Sequence, residues 1–266
     1  MARNGEMSFL EHLEALRWHL IRSFVAVLVI TILAFIFKDF LFDQVIFAPS
    51  SPDFWTNKAI NQLATYLDMP ALKINETPIK LQNISMSGQF STHLWVAFLA
   101  GIIVAFPYVF WELWRFIRPA LHENEARSSQ GAILIVSLLF VLGVLFGYYV
   151  IAPMSISFLV GYQVSTKVEN IVALDSYIST VSSIVLSSGV LFELPVFIYF
   201  LAKIGVVSSQ FLKKYRRHAI VVIVILAAII TPPDVVSQTM VCLPLLILYE
   251  ASIMVAKRLE RKRKNA

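Results

Sequence analysis

The sequence predicts an all-α integral membrane protein of six transmembrane helices with both termini on the cytoplasmic side. Three observations predict it. Hydrophobic residues make up 58% of the 266 positions and charged residues only 15%, with a mean hydropathy of +0.74, well outside the range of soluble domains. The apolar residues fall in long blocks rather than amphipathic stripes, so one soluble core cannot seal them. Finally, the Lys and Arg residues alternate between loops, as retention of basic residues on the cytoplasmic face requires.

The first span covers 18–37 and is preceded by a charged segment without a small-residue cleavage site, so it reads as a retained span. That segment, Ser8 to Arg17, places Leu13, Leu16 and Leu20 on one face and Glu11, Glu14 and Arg17 on others, the pattern of a helix lying in the interface before the span. Between Lys38 and Gln89 lies the one sizeable extramembrane stretch, the outer loop 38–89, with Pro49, Pro52, Pro70 and Pro78. A helix from Asp53 to Leu67 is expected there, with Asp53 as N-cap and an apolar face of Phe54, Trp55, Ile60, Leu63 and Leu67.

The second span covers 90–111 and the third 130–151, ended by Pro153. The fourth covers 176–202, and its Pro195 removes a backbone hydrogen bond just after Glu193 and kinks the span. Gly143 and Gly147 in the third span, with Ser182, Ser183, Ser187, Ser188 and Gly189 in the fourth, allow close helix contact. The fifth and sixth spans, 218–230 and 235–255, are separated only by Thr231-Pro232-Pro233-Asp234. The apolar run of the fifth, about a dozen residues, covers roughly 18 Å against a hydrocarbon core of roughly 30 Å. Thinning of the bilayer, snorkelling of Arg216, Arg217 and His218, or assembly with other spans relieves that mismatch.

The charge count sets the orientation. Of the 22 Lys and Arg, only Lys38, Lys58, Lys73, Lys80 and Lys167 fall in the loops assigned outside; the rest lie in residues 1–22, the second-to-third and fourth-to-fifth connections, and the tail from Lys257. The net charge of +5 follows from this asymmetry and from contact with anionic lipid headgroups, and needs no nucleic-acid partner. A single cysteine, Cys242, excludes an intramolecular disulfide and a cysteine-based metal or redox centre, and the five histidines have no ligand-like spacing. No metal, no cofactor and no catalytic constellation is expected, so the chain does not read as an enzyme.

Polar groups where polarity is costly are the candidates for function. Glu193 lies inside the fourth span, where a carboxylate costs on the order of 3 kcal/mol, and it either serves function or is hydrogen-bonded within the bundle. In the connection Phe116-Ile117-Arg118-Pro119-Ala120-Leu121-His122-Glu123-Asn124-Glu125, the carboxylates either hold a cationic partner, for which arginine is best suited, or simply open the next helix. A proton- or ion-coupled small-solute transporter with Glu193 as its titrating group is the alternative from another functional class. The lack of internal repeats counts against it.

Four stretches carry a family resemblance. His12-Leu13-x-x-Leu16-Arg17, Phe116-x-x-Pro119-Ala120-Leu121-x-x-x-Glu125, Phe192-Glu193-x-Pro195 and above all Thr231-Pro232-Pro233-Asp234-Val235-x-Ser237-Gln238 resemble TatC, the receptor subunit of the twin-arginine protein translocase. The resemblance covers the whole chain. It implies a single TatC-like membrane domain over 1–266, a concave, glove-like bundle with short fifth and sixth helices in the bacterial cytoplasmic membrane. That protein recognises twin-arginine signal peptides and, with TatA and TatB, passes folded proteins outward on the proton-motive force. It implies further that Glu125 contacts the signal arginines with Phe116, Pro119 and Leu121 shaping the site beside Arg17, that Pro49 belongs to the first outer loop, and that Glu193 lines the concave face. Asp234 and Gln238 become the polar group where TatA and TatB helices dock, with Pro232 and Pro233 structural.

One position departs from the family pattern. His-Leu-x-Glu-Leu-Arg would put the second signal-binding carboxylate at Ala15, where this chain has none. Glu14 is about 100° away around a helix, whereas Glu11, four residues earlier, shares the face of Ala15.

Overall fold

Apolar segments of this length close their backbone hydrogen bonds internally, since hydrocarbon offers no partner for them. A computed structural model describes residues 9–117, 130–165, 167–168, 170–231 and 235–265, and they are helical almost throughout. Among the described residues, five helical stretches are long and apolar enough to cross a membrane: Leu13–Ile36, Gly88–Ile117, Ile133–Gly161, Leu174–Lys203 and Ser237–Arg261. The helices are α1 (Phe9–Ile36), α2 (Trp55–Tyr66), α3 (Gly88–Ile117), α4 (Gln130–Phe146), α5 (Ala152–Gly161), α6 (Leu174–Phe192), α7 (Leu194–Lys203), α8 (Ser209–Lys214), α9 (Arg216–Ile230) and α10 (Val235–Asn265). The undersized element is α9, whose 15 residues reach about 22 Å. The segment before the first span is no separate interfacial helix: α1 runs unbroken from Phe9, and its Leu13 and Leu20 are exposed.

The chain divides into two compact units, 1–41 with 90–138, and 42–89 with 139–266. In the first, α1 and α3 run antiparallel. Gly101 lets α3 lie against Thr31 and the carbonyl of Val27, where a Cβ would collide. Near one end of the pair His93 stacks on Phe35 at 3.9 Å, with its Nε2 3.1 Å from the Phe35 carbonyl.

In the second unit α4 does not stop at the proline. It passes into a π-helical turn, Gly147–Ile151, and on into α5 with Pro153 in the first turn. The π turn and the N1/N2 position absorb the missing N–H, so a residue expected to end the span only re-registers it. Small residues bring α4 and α6 into backbone contact: a Cβ on Gly143 would stand 2.5 Å from the Ser188 carbonyl, and one on Gly147 2.8 Å from Ser188 Oγ. Around this seam Ile151, Ala152, Ile184, Ile223, Ala227, Val241 and Leu245 form a fully buried cluster joining α5, α6, α9 and α10.

A second cluster of Ala202, Leu212, Ile253 and Ala256 packs α7 and α8 on the late part of α10. Polar ties reinforce it. Glu260 accepts from the Ser209 backbone N–H at 2.6 Å and its hydroxyl at 2.5 Å, Arg216 and Glu250 pair through two contacts of 2.8 Å, and Tyr249 donates to the Leu212 carbonyl at 2.9 Å. Two short strands, β1 (Leu81–Gln82) and β2 (Val172–Ala173), pair in parallel with Leu81 opposite Val172.

The outer-loop helix corrects two expectations. Phe54, not Asp53, occupies the N-cap position of α2, and Asp53 instead pairs with Lys58 at 2.9 Å. The inward side carries Phe54, Thr56, Asn57 and Ala64, with Ile60 half-buried, while Trp55, Leu63 and Leu67 are exposed. Hydrogen bonding by Thr56 and Asn57 joins the burial of Phe54, stacked on Tyr149, in turning this side of α2 inward.

Candidate functional site

Of the residues expected to meet a cationic partner, those described lie at the start of α1 and, with Phe116, at the end of α3, within one unit. Glu14 and Arg17 are exposed, Ala15 is half-buried, and Glu11 is placed on α1 by its backbone alone. Phe116, in the last turn of α3, sets its ring edge-on to His19 of α1, with centroids 6.2 Å apart at 62°. His19 Nδ1 is hydrogen-bonded to Glu112 Oε2, and Tyr108 donates its hydroxyl to Glu112 Oε1 at 3.0 Å.

Glu112 is the residue that the sequence reading missed. Its side chain is 1% exposed, yet two half-exposed guanidinium groups approach it, Arg115 at 3.7 Å and Arg22 at 4.0 Å. Neither distance is a hydrogen bond. Arg115 is held instead over the Trp111 ring, 4.8 Å from its centroid. The signal was present in the spacing: Tyr108, Glu112 and Arg115 share one face of α3, and Ala15, His19 and Arg22 share one face of α1.

Glu125, Pro119 and Leu121 lie outside the described residues, as do Pro232, Pro233 and Asp234. Gln238 is described, and its amide stands 3.4 Å from the Val224 carbonyl, linking α10 to α9.

Glu193 occupies the junction of α6 and α7. Its backbone (φ −78°, ψ −7°) interrupts the helix, and Pro195 opens α7 within its first two positions. The joint of α6 and α7 thus falls at the carboxyl, beside the proline that opens α7, within the single apolar stretch Leu174–Lys203. The side chain is half-buried, and its Oε1 is shielded from solvent with no hydrogen-bond partner. Ser182 and Ser188, further back on α6, also have buried hydroxyls without partners.

Pro49 is tied into the outer loop by a residue that sequence alone did not single out. The fully buried Asn57 donates to the Pro49 carbonyl at 3.0 Å and to that of Ser51 at 2.7 Å. Asn75 reaches Asn57 Oδ1 at 3.3 Å and the Pro153 carbonyl at 3.0 Å. Tyr148 and Tyr177 donate to the carbonyls of Val45 and Ile46 at 2.7 and 2.8 Å. Pro49 thus sits in a hydrogen-bonded clamp between the loop and the α4–α5 joint.

The family model for the Sec-independent protein translocase protein (TatC) matches residues 11–244. The chain belongs to the TatC family. The TatC of Blattabacterium sp. subsp. Periplaneta americana (strain BPLAN) is 41% identical over 261 residues, 97% of this chain and 98% of that one. The TatC of Aquifex aeolicus (strain VF5) is 33% identical over 260 residues, 97% of this chain and 98% of that one. A crystal structure of the twin-arginine translocase receptor TatC aligns with a TM-score of 0.65 at 31% identity, covering 94% of this chain and 99% of that one. A second crystal structure of the same receptor, in DDM, aligns with a TM-score of 0.70 at 31% identity, covering 92% of this chain and 99% of that one. TatC membership makes the chain a multi-pass membrane protein of the Tat protein-transport system, working in a complex with other Tat components.

Proposed function

We propose that this chain is the receptor of the Tat translocase. It binds the twin-arginine signal peptides of folded cargo at the cytoplasmic surface. With TatA, and with TatB where a separate one exists, it passes that cargo across the bacterial cytoplasmic membrane on the proton-motive force. The reading treats residues 1–266 as one membrane domain of six spans with both termini cytoplasmic, α9 being the short fifth span. The concentration of Lys and Arg in the termini and alternate loops supports that orientation.

In this reading Glu125 grips the paired arginines, Phe116, Pro119 and Leu121 shape the site, and Glu11, Glu14 and Arg17 lie beside it on the recognition helix. Glu193 offers a polar point along the path of the signal's apolar stretch, while Asp234 and Gln238 mark where partner helices dock. Pro49, Pro195, Pro232 and Pro233 hold the backbone of these regions. The observation that carries the proposal is the contact of Phe116 with His19, which joins the end of α3 to the helix bearing Glu14 and Arg17.

Export of a twin-arginine reporter tests it in cells lacking their own receptor subunit and supplied with this chain and its cognate partners. The parent chain restores export and Glu125→Ala abolishes it. Unchanged export by the variant removes the site assignment, and none by the parent removes the functional one.

A further inference from the structure

We propose that Glu112 is a second guanidinium-binding carboxylate of this chain, held in the resting protein by His19 and exchanged onto an arginine of the incoming signal. The proposal rests on the reading above that this end of α3 meets twin-arginine peptides.

On α1, Ala15, His19 and Arg22 stand at helical spacings of four and three, so they share a face, and from Ala15 onward that face carries no carboxylate. The carboxylate opposing it comes from α3: Glu112 Oε2 bonds His19 Nδ1 and faces Arg22 Nη1 at 4.0 Å. Burial then defines what can compete for it. A carboxylate with its residue 1% exposed keeps its charge only while donors surround it, and here His19 and Tyr108 supply single-point hydrogen bonds.

A guanidinium fork supplies two parallel charged bonds to one carboxylate, so an arriving arginine gains one bond over the imidazole it displaces. The chain's own arginines make no hydrogen bond to that carboxylate, Arg22 standing at 4.0 Å and Arg115 at 3.7 Å with its guanidinium over Trp111. His19 is the movable gate. It is 14% exposed and leans edge-on against Phe116, itself at the expected signal site, so rotating the imidazole uncovers Oε2 from that side.

Selectivity follows from the same charges. With Arg22 and Arg115 beside a single carboxylate the local field is positive, and a cation attracted by charge alone is opposed. Only a cation that matches the carboxylate bidentately overcomes this, which admits arginine and rejects lysine.

The test uses the full chain in lipid nanodiscs and a fluorescent signal peptide carrying either Arg-Arg or Lys-Lys, with thermal unfolding followed in parallel. The parent binds the Arg-Arg peptide more tightly. Glu112→Gln weakens Arg-Arg binding about tenfold and leaves Lys-Lys binding unchanged, as expected for loss of one charge-assisted pair. His19→Ala has the opposite sign, tightening Arg-Arg binding about threefold by removing the competitor.

A purely structural His19–Glu112 tie predicts that both variants weaken both peptides together, and that result overturns the proposal. If Glu112→Gln does not fold, His19→Ala decides alone: tighter Arg-Arg binding supports the proposal, and equal or weaker binding overturns it. A parent chain that does not distinguish the two peptides overturns the receptor reading and this inference with it. A parent that distinguishes them by a ratio Glu112→Gln leaves intact overturns this inference only.

Discussion

Thr56 of α2 donates its hydroxyl to the carbonyl of Tyr149 at 2.5 Å, across 93 residues of chain. Tyr149 precedes Pro153 by one helical turn, and a proline has no N–H to offer that carbonyl. The outer loop thus supplies a donor that the third span lacks. Thr56→Val, which keeps the shape and removes the donor, is expected to cost about 1–3 kcal/mol. Thermal unfolding in detergent checks it, with Thr56→Ser remaining close to the parent.

Backbone contact between α4 and α6 gives a second prediction. Gly143→Ala places a Cβ 2.5 Å from the Ser188 carbonyl and 2.9 Å from Gly189 Cα, atoms that cannot rotate away. Overpacking of this kind costs about 1–3 kcal/mol. Gly161→Ala, with nothing within 4 Å of the added Cβ, is the control and is expected to stay within about 0.5 kcal/mol of the parent.

These two joints show what sequence could and could not supply. Five of the spans were legible because a run of apolar residues long enough to cross hydrocarbon has few other fates, and the small residues at 143, 147, 188 and 189 announced a close contact. Pro153 misled because a proline's effect depends on whether a π turn and a distant donor compensate it, and neither leaves a local trace. Thr56 and Asn57 were passed over for Trp55 and Leu63 because their burial goes with hydrogen bonds that helix periodicity does not reveal, from Thr56 to the Tyr149 carbonyl and from Asn57 to those of Pro49 and Ser51. At the candidate site Phe116 was proposed through a motif, whereas Glu112 was not singled out because its partners His19 and Tyr108 declare themselves only once α1 and α3 are paired.

Glu260 caps the start of α8 through both the backbone and the side chain of Ser209. Glu260→Ala is expected to cost about 1–2 kcal/mol through those two lost bonds. Amide exchange checks it: faster exchange confined to α8 and the late part of α10 is the expected pattern, since the rest of α10 is held by the separate cluster around Leu245.

Glu193 separates the receptor reading from a small-solute transporter. The chain alone in liposomes is expected to carry no solute or proton flux, and Glu193→Gln to change none. Export of a twin-arginine reporter by the complete translocase is the activity expected to respond, since the unpartnered Oε1 lies at the joint of α6 and α7. Solute flux by the parent that Glu193→Gln abolishes would establish the rival.

The most direct measurement places a photo-crosslinking amino acid at Phe116 in native membranes and supplies a cargo with a twin-arginine signal. The account predicts an adduct with the signal peptide that disappears when both arginines are changed to lysine. No adduct, or equal adducts with both signals, would contradict it.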